Sequence, residues 1–260
     1  MAAATGLKTI LAQVKGDVPG LDEPMRQLYR DWQEGDVTKL IGRADHPDEM
    51  IRALAVYALG DLHTKEAIEE LIRLFQDPVV DSATRWAVTD ALTRLSPTTT
   101  IFRVIMPLVD EDMAALTNVP AEIWERREEW YAAIAYLIGT LEEQDPLLTD
   151  FLAKCLYEIS GYWVTVHAIQ SIGALYLRQH KTVLENIALG NFEGLKLGKR
   201  LSQDEHRHLQ VKAIEALANV GDQESLQRLR SQQTDWNPEL ERAFFRTSEE
   251  IYWRVHLSMY

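Results

Sequence analysis

The residues best suited to chemistry in this sequence are few and isolated. Cys155 is the single cysteine, and it lies inside an apolar helical segment, where a free cysteine usually behaves as a small buried hydrophobe. His167 lies on the apolar side of the next predicted helix, so a Cys155–His167 dyad is the catalytic alternative to a buried core histidine. The Gly-x-Ser-x-Gly turn of hydrolases does not occur. We assign no catalytic residue from the sequence.

The histidines do not form a metal-ligand pattern. His206 and His208 are two residues apart. On a helix this spacing turns their side chains about 200° away from each other, so they cannot share an ion. The neighbouring Asp204 and Glu205 fit a solvated turn before a helix. The sequence therefore predicts neither a metal site nor a bound cofactor.

Residues 190–200 have the composition of a phosphate-binding loop but not its spacing. Three residues separate Gly194 from Gly198 where the P-loop has four, and Arg200 stands where the P-loop has Ser or Thr. We predict a mobile, basic interaction loop, with an inert loop as the alternative. Its candidate partner-binding residues are Lys196, Lys199 and Arg200.

The elements that carry these residues repeat along the chain. In residues 51–62, apolar side chains recur with helical spacing and form one stripe. A second apolar segment separates successive copies of this template, and no segment alternates with period two over a convincing length. We predict helical pairs in series with almost no strand. The template fits again at residues 84–95, 130–141, 164–175 and 209–220.

The most regular copy also carries a family pattern. It reads Asp45-His46-Pro47, then Ile51-Arg52, then Ala55-Val56-Tyr57-Ala58-Leu59-Gly60-Asp61. This pattern resembles a HEAT repeat, most closely the short HEAT-like type that is also found in bilin lyases. The resemblance covers about residues 36–232. It implies an all-α fold, a right-handed α-α superhelix (α-solenoid) of about five to six helical pairs, in which neighbours stack because one pair cannot bury its apolar face alone.

The two ends of the chain differ from the repeats. Residues 21–34 and 239–256 are expected to be terminal capping helices. We predict a single HEAT-like domain over residues 21–260, with the array at 36–232 and the C-terminal cap at 239–256. Residues 1–20 are small and punctuated by Gly and Pro, and we expect them to be partly disordered.

The resemblance also indicates where a partner would bind. In a HEAT array the second helix of each pair lines the concave surface, and its outward positions contact partners. Here those positions carry mostly polar or amphipathic residues in otherwise apolar helices, and tyrosine adds contact area at modest entropic cost. Solubility explains such a row equally well. The candidate partner-binding residues are Tyr57, Asp61, Asp90, Arg94, Tyr136, Gln170 and Glu215.

The charge balance limits the classes of partner. The chain has 27 Lys and Arg against 40 Asp and Glu, a net charge of −13 at pH 7. This disfavours nucleic acid, which requires a positive surface, and it disfavours an anionic membrane. The acid-rich residues 101–150 are either a solvated helical region or an acidic docking face for a basic partner. No apolar run reaches the roughly 20 residues of a membrane span, and no signal-peptide pattern is present, so we expect a cytoplasmic protein.

These patterns favour a non-catalytic scaffold or adaptor that binds another protein along the concave face. The resemblance to bilin lyases implies an alternative, a lyase-like protein that holds a tetrapyrrole ligand with carboxylates and aromatic residues of the groove. A third possibility is a fragment or sensor region of a larger signalling protein. HEAT-repeat iron hydroxylases carry paired His-Glu dipeptides, and this sequence contains no such dipeptide.

Overall fold

The computed structural model of the protein describes residues 23–95, 99–115, 120–141, 144–197, 201–232 and 236–257. Within these ranges it contains thirteen α helices, one short 3₁₀ helix and no strand. The prediction of an all-α chain is confirmed. The predicted N-terminal segment 1–20 and the candidates Lys199 and Arg200 lie outside the described residues.

The chain divides into two compact units, Met1–Trp130 and Tyr131–Tyr260. The helices of the first unit are α1 (Glu23–Glu34), α2 (Val37–Ala44), α3 (Glu49–Leu62), α4 (Lys65–Gln76), α5 (Ser82–Arg94) and α6 (Thr99–Ala114). Helix α7 (Ala121–Ile138) contains the boundary. The second unit continues with α8 (Pro146–Tyr157), α9 (Tyr162–Ala174), the 3₁₀ helix Arg178–His180, α10 (Lys181–Ala188), α11 (Gln203–Val220), α12 (Gln223–Gln232) and α13 (Pro238–Leu257).

Most helices begin at a side chain that caps their free amides. The Asp48 carboxylate accepts hydrogen bonds from the amides of Met50 and Ile51 at the start of α3. The Asp81 carboxylate accepts a hydrogen bond from the amide of Thr84 at the start of α5. The Asp145 carboxylate accepts one from the amide of Leu147 at the start of α8. Because these oxygens satisfy amides that have no partner within the helix, the short polar residues between the apolar segments fix where each helix starts.

Gly60 is not the helix end that its position before Asp61 suggests. It lies inside α3, and the left-handed residue that ends this helix is His63, with φ +52°. A Cβ atom on Gly60 would lie 2.6 Å from the Cβ of Ala91 in α5. The glycine is therefore required for the close approach of the two helices rather than for a turn.

In the first unit, α3 and α5 pack against each other, and each also contacts α4. Two buried side chains cover the C-terminal end of α4. Trp130 is fully buried and donates its indole N–H to the carbonyl of Phe75 at 2.7 Å. Arg85 is also fully buried and donates to the same carbonyl at 3.2 Å and to that of Asp77. These donors satisfy helix-end carbonyls that would otherwise be buried without partners.

In the second unit, α9, α11 and α13 stack in series. Gly173 in α9 permits close approach to Ala216 in α11, since a Cβ there would lie 2.8 Å from the Ala216 Cα. The hydroxyl of Thr247 in α13 donates to the carbonyl of Ile214 in α11 at 2.9 Å. Helix α13 also contacts α12. The predicted C-terminal cap at 239–256 is therefore placed as the second helix of a further pair. The prediction of one domain over 21–260 stays a prediction.

Candidate functional site

Four of the candidate residues meet in the first unit. The Arg94 guanidinium donates to the Asp90 carboxylate at 3.0 Å, to the Asp61 carboxylate, and to the carbonyl of Tyr57 at 3.1 Å. Its Cζ also lies 4.1 Å from the centroid of the Tyr57 ring. Two carboxylates, a carbonyl and an aromatic face thus surround one guanidinium, which neutralises much of the charge at this part of the predicted row.

Tyr57 does not offer the exposed aromatic area that the sequence pattern indicated. Its residue is only 3 % exposed, because Arg94 from the next pair covers the ring. Burial raises the pKa of the Tyr57 hydroxyl, and the nearby Arg94 opposes that rise. The accessible groups here are the partly exposed side chains of Asp61, Asp90 and Arg94. Partner binding at these positions stays a prediction.

The candidates of the second unit are more accessible. Gln170 and Glu215 are exposed, and Tyr136 is partly exposed. The Tyr136 ring packs edge-on against His167, with 5.5 Å between ring centroids. Glu215 accepts a hydrogen bond from Lys212 at 2.8 Å. The row on α7, α9 and α11 thus presents polar and aromatic groups to solvent.

Beside this row lies a group of four rings, here called the ring cluster: Tyr162, Trp163, His167 and His208. The Trp163 centroid is 5.0 Å from that of Tyr162, 6.3 Å from that of His167 and 6.2 Å from that of His208. The Tyr162 hydroxyl and the His208 Nδ1 are hydrogen bonded at 2.5 Å. Trp163 is nevertheless 50 % exposed.

The sequence placed His167 on the apolar side of its helix and His208 next to a solvated turn, and the ring cluster was missed as a surface feature. A signal was present in the spacing. Trp163, His167 and Gln170 follow one another at four and three residues, and so do His208, Lys212 and Glu215. Residues with this spacing share a helix face, and α9 and α11 pack together.

Burial controls the charge of the ring cluster. It lowers the pKa of His167 to about 4, although a hydrogen bond with Gln170 acts in the opposite direction. Burial also lowers the pKa of His208, and the nearby Lys212 adds to this effect. The pKa of Tyr162 is raised by burial and by the charge of Glu205. All three rings are therefore neutral at pH 7.

A cleft of about 440 Å³ continues the predicted row between α11 and α13. Small apolar residues and Thr247 line part of it, and Glu215 lies at its wall. The remaining wall is charged and comes from α13, which the sequence analysis did not include in the row. The charged residues of α13 that line the cleft are Glu239, Arg242, Arg246 and Glu250.

Backbone hydrogen bonds hold the described part of the basic loop, which was predicted over residues 190–200. The Lys196 amide donates to the carbonyl of Leu156 at 3.0 Å, and the Gly161 amide donates to the Lys196 carbonyl at 3.2 Å. The Lys196 residue is exposed. The backbone at this end of the loop is thus anchored beside the start of α9, while the Lys196 side chain is available for contact.

Cys155, His206 and His208 lie in separate surroundings. Cys155 is fully buried, and burial raises the pKa of its thiol well above the usual value, which disfavours the reactive thiolate. His206 packs on Phe192 at 4.9 Å between centroids, whereas His208 packs on Tyr162. Among the described residues, no group of three or more His, Cys, Asp or Glu side chains could hold a metal ion. In the same part of the chain, no helix is long and apolar enough to cross a membrane.

The fold defines a class of protein: an all-α chain of HEAT-like helical pairs, an α-solenoid, in which second helices stack within each compact unit. Residues 37–112 match a family model described as HEAT repeats. This match confirms the resemblance of the first pairs to HEAT repeats. The finer likeness to the bilin-lyase type stays a prediction.

Two solved structures are similar to this chain at low identity. A crystal structure of an engineered protein is 18 % identical, with a TM-score of 0.41, and the match covers 84 % of this chain and 96 % of that chain. The structure of human deoxyhypusine hydroxylase in complex with glycerol is 12 % identical, with a TM-score of 0.35. The match covers 97 % of this chain and 98 % of that chain. Comparison with curated protein sequences gave no match.

Proposed function

We propose that the protein is a non-catalytic scaffold that binds another protein along the second helices of its HEAT-like pairs. The observation that carries this proposal is the exposure of Gln170 and Glu215 on the stacked helices α9 and α11, next to the half-exposed Trp163. Repeat arrays present long open surfaces of this kind, which suit contact with a protein rather than enclosure of a small substrate.

The test is affinity capture with a row variant and a matched control. The row variant combines Gln170→Arg with Glu215→Arg. The control combines Gln227→Arg with Glu69→Arg, because these residues are also exposed but lie on the first helices α12 and α4. Glu69 is matched further to Glu215, since each pairs with a lysine of its own helix.

A partner recovered with the wild-type protein should fall at least tenfold with the row variant and stay unchanged with the control. Circular dichroism melts of all three proteins should coincide, which excludes loss of folding as the cause. Equal recovery with both variants would contradict binding along the row. So would loss with the control alone.

A tetrapyrrole-handling role is the second candidate, and the ring cluster is the observation that favours it. The half-exposed Trp163, which the imidazole rings of His167 and His208 flank, offers a flat surface on which a tetrapyrrole could stack. Mixing the protein with free bilin should then shift the visible absorbance, and Trp163→Ala should remove the shift. An unchanged spectrum at micromolar concentrations would contradict this role.

A further inference from the structure

Helix α13 exposes three large aromatic rings on one side. Phe245 is 63 % exposed, Tyr252 49 % and Trp253 59 %. Phe245 and Tyr252 are seven residues apart and therefore lie on the same side of the helix, where Trp253 adjoins Tyr252. The opposite side is buried and includes Thr247 and Ile251. The exposed side is here called the outer face, and its residues are Pro238, Arg242, Phe245, Glu249, Tyr252 and Trp253.

The outer face occupies the place where a second helix of this unit is elsewhere covered by the next one. The hydroxyls of Ser171 in α9 and Thr247 in α13 make the same contact, since each donates to a carbonyl of the preceding second helix. Aligning these two residues places Glu249 of α13 at the position of Gly173 in α9. Gly173 faces α11 at close range. The side of α13 that carries Phe245 and Glu249 is therefore the side on which a further helix would stack.

The outer face is large enough to form an interface. A fully enclosed aromatic side chain buries about 150–250 Å², so the three half-exposed rings leave on the order of 300 Å² of aromatic surface open. Exposed apolar patches of this size on soluble proteins often mark a protein contact. Helix α13 has 20 residues and is therefore about 30 Å long. A strip of this length suits the roughly 800 Å² that each partner contributes to a specific interface.

The order of residues on the outer face is complementary to a second copy of itself. In an antiparallel pair whose two-fold axis passes beside Phe245, Arg242 of each copy lies opposite Glu249 of the other. This follows because Arg242 is three residues before Phe245 and Glu249 is four residues after it. The same symmetry places Pro238 opposite Trp253. A parallel pair would instead place each charged residue opposite its own copy, and like charges repel.

The charges of the outer face are accessible to such a partner. Arg242 and Glu249 are both exposed. The Arg242 Nε donates to the carbonyl of Pro238 at 3.1 Å, which leaves the two terminal amino groups of the guanidinium for a carboxylate. Helix α13 has four glutamates and three arginines, a net charge of −1, whereas the whole chain carries −13. Two copies therefore meet at this helix with little of the repulsion that the remaining surface produces.

A shallow depression lies where this arrangement places Trp253 of the second copy. Its volume is about 520 Å³, and its lining residues are Pro238, Glu241, Arg242, Phe245 and Arg246. Trp253 itself packs edge-on against Tyr252, with 5.7 Å between ring centroids. A half-exposed indole that a neighbour already orders loses little entropy on binding, and tryptophan is enriched at the centres of interfaces.

We propose that the protein forms a two-fold symmetric dimer in which the outer faces of two α13 helices pack antiparallel. Phe245 lies beside the axis, and Arg242 of each copy pairs with Glu249 of the other. The depression of each copy receives Trp253 of the other copy. This dimer goes beyond the proposed scaffold function and does not depend on it.

Sedimentation velocity of the full chain at about 1–200 µM tests the dimer. The wild type should shift toward a mass of twice 29.7 kDa as the concentration rises. Phe245→Ala should weaken the association by about tenfold or more. Tyr157→Ala is the matched control and should stay within about twofold of the wild type, because Tyr157 is 44 % exposed but lies on α8. Circular dichroism melts at the lowest concentration should coincide, which excludes misfolding as the cause.

A wild-type monomer at every concentration would overturn the proposal and leave the outer face to a different protein. Equal weakening by Phe245→Ala and Tyr157→Ala would overturn it as well, because the contact would then not be centred on α13.

Exchange of the charges tests the antiparallel arrangement. Arg242→Glu and Glu249→Arg, each tested alone, should weaken the association by about tenfold or more, because like charges then face each other twice. An equimolar mixture of the two variants should form a mixed dimer with an affinity within about threefold of the wild type. In this mixture one copy has two acidic residues on the contact and the other has two basic residues. A mixture that stays monomeric would overturn the arrangement.

Discussion

Arg94 shows how one side chain can change the meaning of a surface pattern. The sequence placed Asp61, Asp90 and Arg94 on one outward row, and the structure brings them together around the guanidinium. Asp61 is therefore paired with an arginine of the adjacent pair, and Asp90 is paired with the same arginine within α5. The same guanidinium covers Tyr57. The main effect of this cluster is to stabilise the contact between α3 and α5. The partly exposed parts of Asp61, Asp90 and Arg94 are what a partner could contact.

Replacement of Arg94 by alanine should lower the free energy of unfolding by about 1–2 kcal/mol, since two carboxylates and a carbonyl lose a common donor. Arg94→Lys should recover less than half of the loss, because an ammonium cannot bridge the same acceptors in a fixed fork. Urea denaturation followed by circular dichroism measures both. Lys65→Ala is the control, since Lys65 forms an exposed ion pair with Glu69 of its own helix. An equal loss in Arg94→Ala and Lys65→Ala would contradict this account.

His167 should make the folded state sensitive to acid. Its pKa is about 4 in the folded chain, below the usual 6.5, because burial penalises the charged ring. The unfolded chain therefore binds a proton more readily, and stability should fall as the pH drops from about 6.5 to 4. Among the described residues, the Gln170 side chain raises the pKa of His167 and His208 lowers it.

The measurement is the urea midpoint as a function of pH for the wild type and for His167→Gln. The two proteins should be similar at pH 7, and the wild type should lose about 2 kcal/mol more between pH 6.5 and pH 4. Parallel profiles for the wild type and His167→Gln would contradict the assignment.

At the scale of helices, small residues set the distance between stacked elements. Gly60 faces Ala91 between α3 and α5, Gly173 faces Ala216 between α9 and α11, and Gly139 faces Ser171 in the second unit. A side chain at any of these glycines would clash with the neighbouring helix. The distance between stacked second helices thus depends on these glycines. The apolar pattern of one helix shows only that such a residue is small, and not which residue of the next helix it contacts.

Gly60→Ala should destabilise the protein by about 1–3 kcal/mol, because the added methyl group meets the Ala91 Cβ at 2.6 Å and the helices must separate. Gly42→Ala is the matched control. Gly42 also lies within a helix, but nothing is within 4 Å of its built Cβ. Alanine there should stabilise by up to about 1 kcal/mol through helix propensity. Thermal melts that rank the two variants in the opposite order would contradict this explanation.

The sequence was sufficient for the helices because the apolar stripe and the polar caps are local signals. The stripe over residues 51–62 predicted α3, which spans Glu49–Leu62. The helix ends at His63 in the left-handed conformation, which the usual preference for glycine at such a position does not indicate. Helix α13 was predicted as a cap, and its contacts with α11 and α12, which the sequence does not show, place it in a pair with α12.

The candidate site was less predictable, since it depends on contacts between helices that are distant in sequence. Arg94 covers Tyr57 across 37 residues, and the Tyr162–His208 hydrogen bond spans 46 residues. A pattern read along one helix identifies an outward position but does not show which residue of the next pair covers it. Gln170 and Glu215, by contrast, are exposed.

At the scale of the whole molecule, each compact unit contains its own series of stacked second helices. The first contains α3 and α5, and the second contains α9, α11 and α13. In repeat arrays each pair contacts mainly its neighbours, so stability is approximately a sum of local terms. A substitution in the core of one unit should therefore lower the local stability of the helices around it more than that of distant helices.

Ile251→Ala tests this expectation. Ile251 is a fully buried residue of α13, and its removal should cost about 2–4 kcal/mol of local stability. Hydrogen exchange measured by mass spectrometry should show amides of α11 and α13 exchanging at least tenfold faster, while those of α3 and α5 keep their wild-type rates. Leu54→Ala, at an equally buried position of α3, should give the reciprocal pattern. Uniform acceleration in both variants would mean that the chain unfolds as one cooperative body, and the local account of its stability would be wrong.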